Sequence, residues 1–236
     1  GWAQQVTADE QKKAAAVAAL EFVQNGNKVG LGTGSTANHF IHALAEKVKG
    51  GLDVECVATS RASFQLASSL GLRMTTLEKQ PHLDVTVDGA DEFDDDFQLI
   101  KGGGGALLVE KIVASSSRYM VVIADQSKRV KALGKFPLAV EVVPFGVNAT
   151  AWKIDRALRI CNLKGKLVLR LKDGKPYVTD SGNAIIDVSI GSIPEPRRLD
   201  MLIKSIPGVV DHGMFIDICG IVLMGTDDGV KTFRKG

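Results

Sequence analysis

Leu83-Asp84-Val85-Thr86-Val87-Asp88-Gly89-Ala90-Asp91 is the stretch of sequence that decides the fold. Its first five residues alternate apolar and polar side chains, a pattern that predicts a buried β-strand. Two acids, Asp88 and Asp91, come directly after this strand. In sheets of parallel strands, ligands bind at the carboxyl ends of the strands. The stretch therefore predicts a parallel sheet that presents two carboxylates at its ligand-binding edge.

A lysine, a run of glycines and a glutamate follow shortly afterwards. Lys101 precedes Gly102-Gly103-Gly104-Gly105, and residues 106–113 then resume a helical pattern that contains Glu110. Glycines leave backbone N–H groups uncovered, so an anion or an oxyanion can bind there. We expect Glu110 in the second helical turn, where the field of the helix N-terminus favours the ionised carboxylate that a general base requires. This mixture of groups indicates a catalytic site.

Each of these side chains also has a plainer interpretation, which the residues alone leave open. Asp88 and Asp91 suit a solvated acidic turn, and the triplet Asp94-Asp95-Asp96 is predicted to be one. Taken alone, Lys101 is typical of a surface lysine and Glu110 of an acid on a helix surface, because charged side chains are seldom buried.

A second glycine-rich turn, Gly30-Leu31-Gly32-Thr33-Gly34-Ser35-Thr36, runs from a predicted strand into a predicted helix. Hydroxyls and free N–H groups at the positive end of a helix bind phosphate. Ser35 stands where a dinucleotide-binding fingerprint needs glycine, and no lysine follows the last glycine as in a P-loop, so a nucleotide is disfavoured. The alternative is a capped turn without a ligand.

A third loop, Asp125-Gln126-Ser127-Lys128, follows a strand predicted at 119–124. Further strands are predicted at 28–31 and 54–58, and helices at 14–22, 37–48 and 62–70. This alternation predicts a parallel α/β sheet with helices on both faces. The carboxyl ends of parallel strands share one edge, so all three loops are expected there.

After Pro137 the order of elements changes. It becomes β-α-β-β-α-β. A strand is predicted at 139–143, a helix at 149–160, a pair of hairpin strands about 172–175, a second helix at 197–204 and a last strand at 209–212. Residues 215–224 are then predicted to return to the main sheet as a strand. We therefore expect a discontinuous main domain, 1–136 plus 213–236, and an inserted domain, 137–212.

The composition of the chain excludes several classes of protein. Of its 236 residues, 45% are hydrophobic and 24% charged, values typical of soluble globular proteins, and the formal net charge is only +2. So small a charge, with scattered lysines, argues against nucleic acid as a partner. No apolar run approaches the length of about 18 residues that a membrane helix needs, so no membrane partner is expected.

Cysteine and histidine usage points to a cytoplasmic protein without a metal. Cys56, Cys161 and Cys219 lie in apolar stretches without C-x-x-C spacing, so we interpret them as reduced core residues. His39 and His42 lack a further ligand cluster, and a structural or surface role is expected for both. The chain begins with Gly1-Trp2 and shows no secretory signal.

These motifs together resemble those of type A ribose-5-phosphate isomerases. The resemblance rests on Gly32-Thr33-Gly34-Ser35-Thr36, Asp88-Gly89-Ala90-Asp91-Glu92, Lys101-Gly102-Gly103-Gly104 and Glu110, and extends to Ile123-Ala124-Asp125 with Lys128, Gly134-Lys135-Phe136-Pro137 and Gly225-Thr226. It implies a Rossmann-like main domain with a ferredoxin-like α+β insert. It also implies a homodimer or homotetramer that interconverts ribose 5-phosphate and ribulose 5-phosphate in the pentose phosphate pathway, without a metal or an organic cofactor.

Site roles are implied residue by residue. Glu110 would move a proton between C1 and C2 of the sugar, Asp88 would assist ring opening, and Asp91 and Lys101 would lie near the reacting oxygens. Contacts with the substrate are implied for the remaining matching positions: Lys12, Thr33, Gly34, Ser35, Thr36, Gly89, Ala90, Gly102, Gly103, Gly104 and Lys128. Gly105 departs from the family pattern, which often has Ala there.

Two other functions remain open at this point. A sugar-phosphate sensor of the same fold would bind its ligand without turnover, but the helix-turn-helix usually attached to such sensors is not found in this sequence. An acyl-CoA transferase on a related fold would use Glu110 as a nucleophile, but no adenine or pantetheine site can be recognised. A nicotinamide-dependent oxidoreductase is disfavoured by the missing fingerprint.

Overall fold

A computed structural model describes residues 5–235, so Gly1 and Trp2 lie outside the described part. Its helices are α1 (Ala8–Ala18), α2 (Ser35–Lys49), α3 (Arg61–Ser69), α4 (Leu107–Ser115), α5 (Val147–Ile160) and α6 (Pro196–Lys204). Its strands are β1 (Lys28–Leu31), β2 (Glu55–Ala58), β3 (Val85–Asp88), β4 (Glu92–Phe93), β5 (Leu99–Ile100), β6 (Met120–Asp125), β7 (Leu138–Val142), β8 (Lys166–Leu169), β9 (Leu171–Lys172), β10 (Lys175–Pro176), β11 (Ala184–Ser189), β12 (Val209–His212), β13 (Met214–Phe215), β14 (Ile221–Thr226) and β15 (Gly229–Arg234).

The chain divides into two compact units. The first comprises Gly1–Ala90, Val109–Arg129 and Asp217–Gly236, and the second comprises Asp91–Leu108 and Val130–Ile216. The second unit contains the whole of the predicted insert, 137–212, and extends beyond it. The reason is a small antiparallel sheet in which β5 pairs with β4 and with β13, which ties residues 91–108 to residues near 214.

The first unit is built on a six-stranded sheet of order β15-β14-β6-β3-β1-β2. All neighbours from β2 to β14 pair in parallel, and β15 pairs antiparallel with β14 at the edge. Val85 and Val87 pack with residues of α1, α2 and α3, whereas Val57 and Val113 of α4 belong to a separate apolar cluster. This arrangement confirms the predicted Rossmann-like α/β fold with a parallel central sheet.

The strand order also locates the point where ligands bind in such sheets. Counted along the chain, the parallel strands β2-β1-β3-β6-β14 follow the doubly wound order in which the direction of winding reverses between β1 and β3. The loops after β1 and β3 begin with Gly32 and Gly89. Both acid-bearing and glycine-bearing motifs of the first unit therefore lie at the topological switch point.

The second unit carries a four-stranded sheet of order β12-β7-β11-β8, with every neighbouring pair antiparallel. With α5 after β7 and α6 after β11, the chain order is β-α-β-β-α-β, which is the ferredoxin-like arrangement. Apolar residues of the sheet and of both helices share one core that includes Val140, Ile154, Ile186 and Leu199.

Two boundary predictions were wrong, and one strand was missed. The first helix was predicted at 14–22, but it begins at Ala8, because Thr7 and Glu10 form a capping box at its N-terminus. The strand predicted at 215–224 is two separate strands: β13 belongs to the small sheet, and only β14 joins the main sheet. The edge strand β15 was not predicted.

The hairpin about 172–175 forms as predicted, but it is not part of the four-stranded sheet. Asp173 and Gly174 both have positive φ, which is the turn that Asp-Gly favours, and they join β9 to β10. The strands that pair within the larger sheet are β8 and β11, on either side of this hairpin.

A buried carboxyl group, Glu141, lies in β7 opposite Asp211 of β12. Its Oε2 accepts hydrogen bonds from Asn183 (2.9 Å) and Thr179 (3.2 Å), whereas Oε1 has no donor among residues 5–235. Burial raises the pKa of Glu141 despite these bonds, and the charge of Asp211 adds to the rise. The folded protein therefore keeps a proton that the unfolded chain loses more readily.

We expect this group to make stability fall as pH rises through a defined window. The window begins at the ordinary carboxyl pKa of 4.5 and ends at the raised value in the folded state, because only there does the unfolded chain bind fewer protons. Glu141→Gln should remove this loss. The free energy of unfolding of the variant should therefore rise relative to that of the parent as pH increases through the window, and the difference should persist at higher pH. Urea unfolding at a series of pH values measures this. The exposed Glu195→Gln is the control, and an equal gain for both variants would contradict the assignment.

Candidate active site

The loops after β1 and β3 meet through backbone and carboxylate groups. Gly32 N–H donates to the Val87 carbonyl at 3.0 Å, and Asp88 Oδ1 accepts from Gly89 N–H at 2.7 Å and Thr33 N–H at 3.4 Å. Asp88 is fully buried. A Cβ on Gly32 would lie 2.1 Å from Asp88 Oδ1, so glycine is required for the carboxylate to turn toward this loop.

The hydroxyl of Thr33 joins a cluster that the sequence analysis missed. Its Oγ1 donates to Ser60 Oγ at 2.8 Å and lies 2.7 Å from Thr59 Oγ1. Thr59 in turn donates to the Leu31 carbonyl, and Ser60 caps the N-terminus of α3. Both residues directly follow β2, so their position after a third parallel strand is the signal that identifies them.

The N-terminus of α2 has the features of an anion site. Gly34, at φ 104°, turns the chain so that the helix begins at Ser35. The ammonium Nζ of Lys12 lies 3.4 Å from Ser35 Oγ, which brings a positive charge to the positive end of the helix. Thr36 packs near Gly89 of the β3 loop, where a Cβ would contact its side chain at 3.5 Å. The structure thus brings Lys12, Ser35, Thr36 and Asp88 to one sheet edge.

Lys12 reaches this position because α1 lies close against β14. The Gln11 side chain donates to Asp227 Oδ1 at 3.0 Å and accepts from Gln126 N–H at 3.3 Å, and it is nearly fully buried. A Cβ on Gly225 would lie 2.0 Å from the Gln11 carbonyl oxygen, so the approach requires glycine. Gln11 was not among the predicted site residues, although it precedes Lys12.

We expect Gly225→Ala to destabilise the protein by about 1–3 kcal/mol, because the methyl group forces apart two packed backbones. Urea unfolding gives the difference in the free energy of unfolding. Gly50→Ala is the matched control: Gly50 ends α2 at φ −81°, and a Cβ there meets only an ordinary contact at 3.4 Å. Equal stability of the two variants would contradict the proposed packing constraint.

Lys128 ends a single 3₁₀ turn, Gln126–Lys128, that follows β6. The buried Asp125 carboxylate accepts the backbone N–H of Ser127 at 2.9 Å and so caps this turn. The bond from Gln126 N–H to Gln11 ties the turn to α1, the helix that also carries Lys12. The structure therefore ties the turn that contains Lys128 to the helix that contains Lys12.

Glu110 is 5% exposed and lies in the first turn of α4, not in the second turn as predicted, because the helix begins at Leu107. The positive end of a helix acts most strongly within its first turn, so the Glu110 carboxylate lies closer to that end of α4 than the sequence predicted. Farther along the same helix, Val113 packs with Val57 and Leu83.

The remaining predicted catalytic residues lie in the second unit. Asp91 Oδ2 accepts the N–H of Gly103 at 2.9 Å. Lys101 is 4% exposed, its N–H donates to the Gly213 carbonyl at 2.8 Å, and its Nζ lies 5.6 Å from the centre of the Phe215 ring. Burial of this lysine excludes the interpretation of Lys101 as a surface residue.

Two other acidic groups of the motif are structural. The buried Glu92 carboxylate accepts N–H groups of Gly134 at 2.9 Å and Phe136 at 2.8 Å, so it holds the loop that precedes β7. Asp94 Oδ1 accepts N–H groups of Asp96 and Gln98 within the turn between β4 and β5. Asp95 and Asp96 are exposed, which confirms the predicted acidic turn.

Nothing in the described residues 5–235 forms a group of three or more histidine, cysteine or acidic side chains with metal-binding geometry. His39 Nε2 lies 2.8 Å from Asp9 Oδ1, a hydrogen bond that joins α2 to α1. All three cysteines are buried and free, and burial raises the pKa of the Cys56 and Cys219 thiols to about 12. Over the same residues, no helix is both long and apolar enough to span a bilayer.

The fold and these groups define an α/β protein whose sheet edge carries an anion-type loop and a buried carboxylate. Comparison with known proteins shows which family of α/β proteins this chain belongs to. Residues 55–229 match the family model of ribose 5-phosphate isomerase A (phosphoriboisomerase A). A ribose-5-phosphate isomerase A of Parvibaculum lavamentivorans is 56% identical over 225 residues, which cover 95% of this chain and 97% of the relative. A ribose-5-phosphate isomerase A of Brucella suis is 52% identical over 230 residues, which cover 96% of this chain and 99% of the relative.

Solved structures agree with the sequence relatives. Ribose 5-phosphate isomerase A of Methanocaldococcus jannaschii is similar with a TM-score of 0.89 and 40% identity, over 97% of this chain and 100% of that one. A D-ribose-5-phosphate isomerase in complex with phospho-erythronic acid is similar with a TM-score of 0.90 and 39% identity, with the same coverage. The chain therefore belongs to the ribose 5-phosphate isomerase A family.

Proposed function

We propose that this chain interconverts D-ribose 5-phosphate and D-ribulose 5-phosphate through an enediolate intermediate, in the non-oxidative branch of the pentose phosphate pathway. The observation that carries the proposal is the switch point of the first unit, where an anion-type loop hydrogen-bonds the buried Asp88 carboxylate. Membership of the isomerase family supports the substrate and the reaction. The relative solved with phospho-erythronic acid, a phosphorylated sugar acid, supports a sugar phosphate as the ligand.

Glu110 is the general base in this proposal. It removes the proton from C2 of the open-chain aldose, the carbonyl oxygen on C1 takes up the negative charge, and the proton then returns to C1. A proton also passes from the C2 hydroxyl to the oxygen on C1, so the ketose forms with atoms and charge in balance. Support comes from the enclosure of Glu110, which shields the reacting groups from water, and from its place in the first turn of α4, close to the positive end of that helix.

The enediolate places negative charge on oxygen, and the site must stabilise that charge. Lys101 and the N–H groups of Gly102 and Gly104 are the donors we assign to it, whereas the Gly103 N–H, which was also expected to bind the oxyanion, instead holds the Asp91 carboxylate at 2.9 Å. One preorganised donor of this kind contributes about 3–4 kcal/mol to transition-state stabilisation. The burial of the Lys101 side chain supports its role, since an ammonium shielded from water acts more strongly.

The phosphate and the sugar hydroxyls are assigned to the β1 loop and its neighbours. Thr33, Gly34, Ser35 and Thr36 supply hydroxyls and N–H groups, and Lys12 and Lys128 supply positive charge. The support is the placement of Lys12 at Ser35 on the N-terminus of α2. Binding far from the reacting carbons holds the sugar in register and contributes orientation to catalysis.

Ring opening is the task we assign to Asp88, while Asp91 contacts the reacting oxygens and Gly89 and Ala90 line the substrate. We also propose that residues 1–136 with 213–236 form the catalytic domain, in a cytoplasmic homodimer or homotetramer. The reaction needs no metal or organic cofactor, because the proton transfers use only side-chain and backbone groups of this chain.

The experiment that tests the function follows ketose formation from ribose 5-phosphate by EDTA-treated protein in D₂O. We expect turnover, and we expect deuterium on the carbon that receives the proton, because a carboxyl group exchanges its proton with solvent. Turnover without deuterium would contradict the enediolate route in favour of hydride transfer, unless exchange at Glu110 is slower than turnover. Longer reaction times separate hydride transfer from slow exchange at Glu110. With slow exchange, deuterium still accumulates in the recovered substrate over many turnovers, whereas hydride transfer never introduces it. Binding without turnover would identify a sugar-phosphate sensor instead.

A further inference from the structure

One arginine of the second unit holds the glycine run by its carbonyl oxygens. Arg170 directly follows β8, and its Nη1 donates to the carbonyls of Gly102 at 2.9 Å and Gly103 at 3.3 Å. The rest of its guanidinium faces Asp187 of β11, with Nη2 donating at 2.6 Å and Nε at 2.8 Å. The side chain is thus held at one end by a carboxylate and holds two peptide groups at the other.

Tyr177 completes this arrangement from the opposite side of the hairpin. Its N–H donates to the Arg170 carbonyl at 2.9 Å, and the centre of its ring lies 5.8 Å from the Arg170 guanidinium carbon. Its hydroxyl lies against Gly105, where a Cβ would approach it to 2.3 Å. Gly105 also has φ +81°, a conformation that other residues rarely adopt. The glycine run is therefore packed at its end as well as bonded at its start.

The two carbonyl contacts determine where the amide N–H groups point. In a trans peptide the C=O and the N–H of one plane point in opposite directions. When the Gly102 carbonyl faces Arg170, the Gly103 N–H points away, and it donates to Asp91 Oδ2 at 2.9 Å. By the same geometry, the Gly103 carbonyl turns the Gly104 N–H away from Arg170. The cation also polarises both peptide groups, which makes their N–H groups stronger donors.

An arginine can bind a carboxylate and two carbonyl oxygens at the same time, and a lysine cannot do so with the same geometry. The planar guanidinium grips a carboxylate through two parallel bonds and still has donors for the carbonyls, whereas an ammonium has no such fork. Burial lowers the pKa of Arg170, but the hydrogen bonds and charge of Asp187 outweigh it and raise the pKa above its ordinary value. The cation is therefore permanent over the working range of pH.

We infer that Arg170 is a positioning residue, which, together with Asp187 and Tyr177, fixes two peptide groups of the glycine run: the Gly103 N–H that holds the Asp91 carboxylate, and the Gly104 N–H that is directed at the oxyanion of the reaction. The inference rests on the proposed function, since it assigns Asp91 and the Gly104 amide to the reacting oxygens. Arg170 itself contacts the carbonyl side of the run and does not touch the substrate in this account. Its removal should therefore affect the rate of the chemical step more than the binding of the phosphate.

The test compares Arg170→Ala and Arg170→Lys with the parent in steady-state isomerisation of ribose 5-phosphate. We expect kcat to fall about 10- to 100-fold in both variants, the effect of a small displacement at a reacting centre, and KM to change less than about threefold. Arg159→Ala is the matched control, because Arg159 is an exposed arginine of the same unit paired with Asp155 at 3.0 Å. Circular dichroism and thermal melting measure the folded fraction of each variant.

Chemical rescue separates positioning from general support of the fold. Millimolar guanidinium ion should restore part of the kcat of Arg170→Ala and leave Arg159→Ala unchanged, because the ion can occupy the space between Asp187 and the two carbonyls. A kcat for Arg170→Ala equal to that of the control, or a lost kcat that guanidinium does not restore in folded protein, would overturn the inference. If the parent protein shows no isomerisation, the proposed function fails instead, so the two failures are distinct.

Discussion

Glu110→Gln is expected to lower kcat for ribose 5-phosphate isomerisation by at least about a hundredfold, the lower bound for the loss of a general base. The amide has the shape of the carboxylate but cannot accept the proton from C2. KM should change little, because the groups assigned to the phosphate lie on other elements. Steady-state kinetics at saturating substrate measure the first quantity, and fluorescence or calorimetric titration with the substrate measures binding.

A second glutamate provides the matched control for this substitution. Glu46 lies on α2, its side chain is 74% exposed, and its Oε1 lies 3.3 Å from Nζ of Lys49 on the same helix. Glu46→Gln makes the same chemical change on a helix surface and should leave kcat unchanged. Near-normal turnover of the folded Glu110→Gln variant would exclude Glu110 as the base. It would leave Asp88 and Asp91 as the carboxylates to test next.

Lys101→Met is expected to lower kcat by about 10²- to 10³-fold, the loss seen when one preorganised oxyanion donor is removed. Methionine fills a similar volume beside Phe215, so the buried pocket should remain packed. The missing charge then leaves the enediolate oxygen with backbone donors alone. The measurement is kcat and KM for the variant, together with the rate at which deuterium from D₂O enters recovered ribose 5-phosphate, which reports formation of the enediolate directly.

Lys49→Met is the control for the lysine, since the Lys49 side chain is 66% exposed at the end of α2. It should leave both rates unchanged. If Lys101→Met loses turnover and deuterium exchange to the same extent, the charge acts on formation of the enediolate. Normal exchange with lost turnover would contradict this role, because the intermediate would then form without the ammonium.

The predictions for Glu110 and Lys101 concern residues that the sequence analysis had already singled out. How well the sequence predicted the position of each site residue in the fold differs from one residue to the next. Asp88 is predicted by the alternating strand before it, and the structure places it at the carboxyl end of β3. Glu110 is predicted on a helix, but its place in the first turn depends on where α4 begins. Whether Lys101 is buried or exposed was open, because a single lysine carries no periodic signal.

The residues that the sequence analysis missed share one property. Gln11 bonds Asp227, 216 residues away, and Arg170 bonds Gly102 across 68 residues. Thr59 and Ser60 meet Thr33 from a neighbouring strand. Each partnership joins two segments that are separate along the chain. No local spacing marks such a pair, so neither member stands out when the sequence is read in windows.

By itself, the sequence determined the parallel α/β sheet, the ferredoxin-like order of elements, and the strand ends that carry Asp88, Thr33 and Lys128. These follow from periodicity and from glycine turns, which act within a few residues of themselves. Only the tertiary structure decided the burial of Lys101, the approach of α1 to Gly225, and the grip of Arg170 on the glycine run. Those features depend on which distant surfaces come into contact, and packing between distant segments is a property of the whole folded chain.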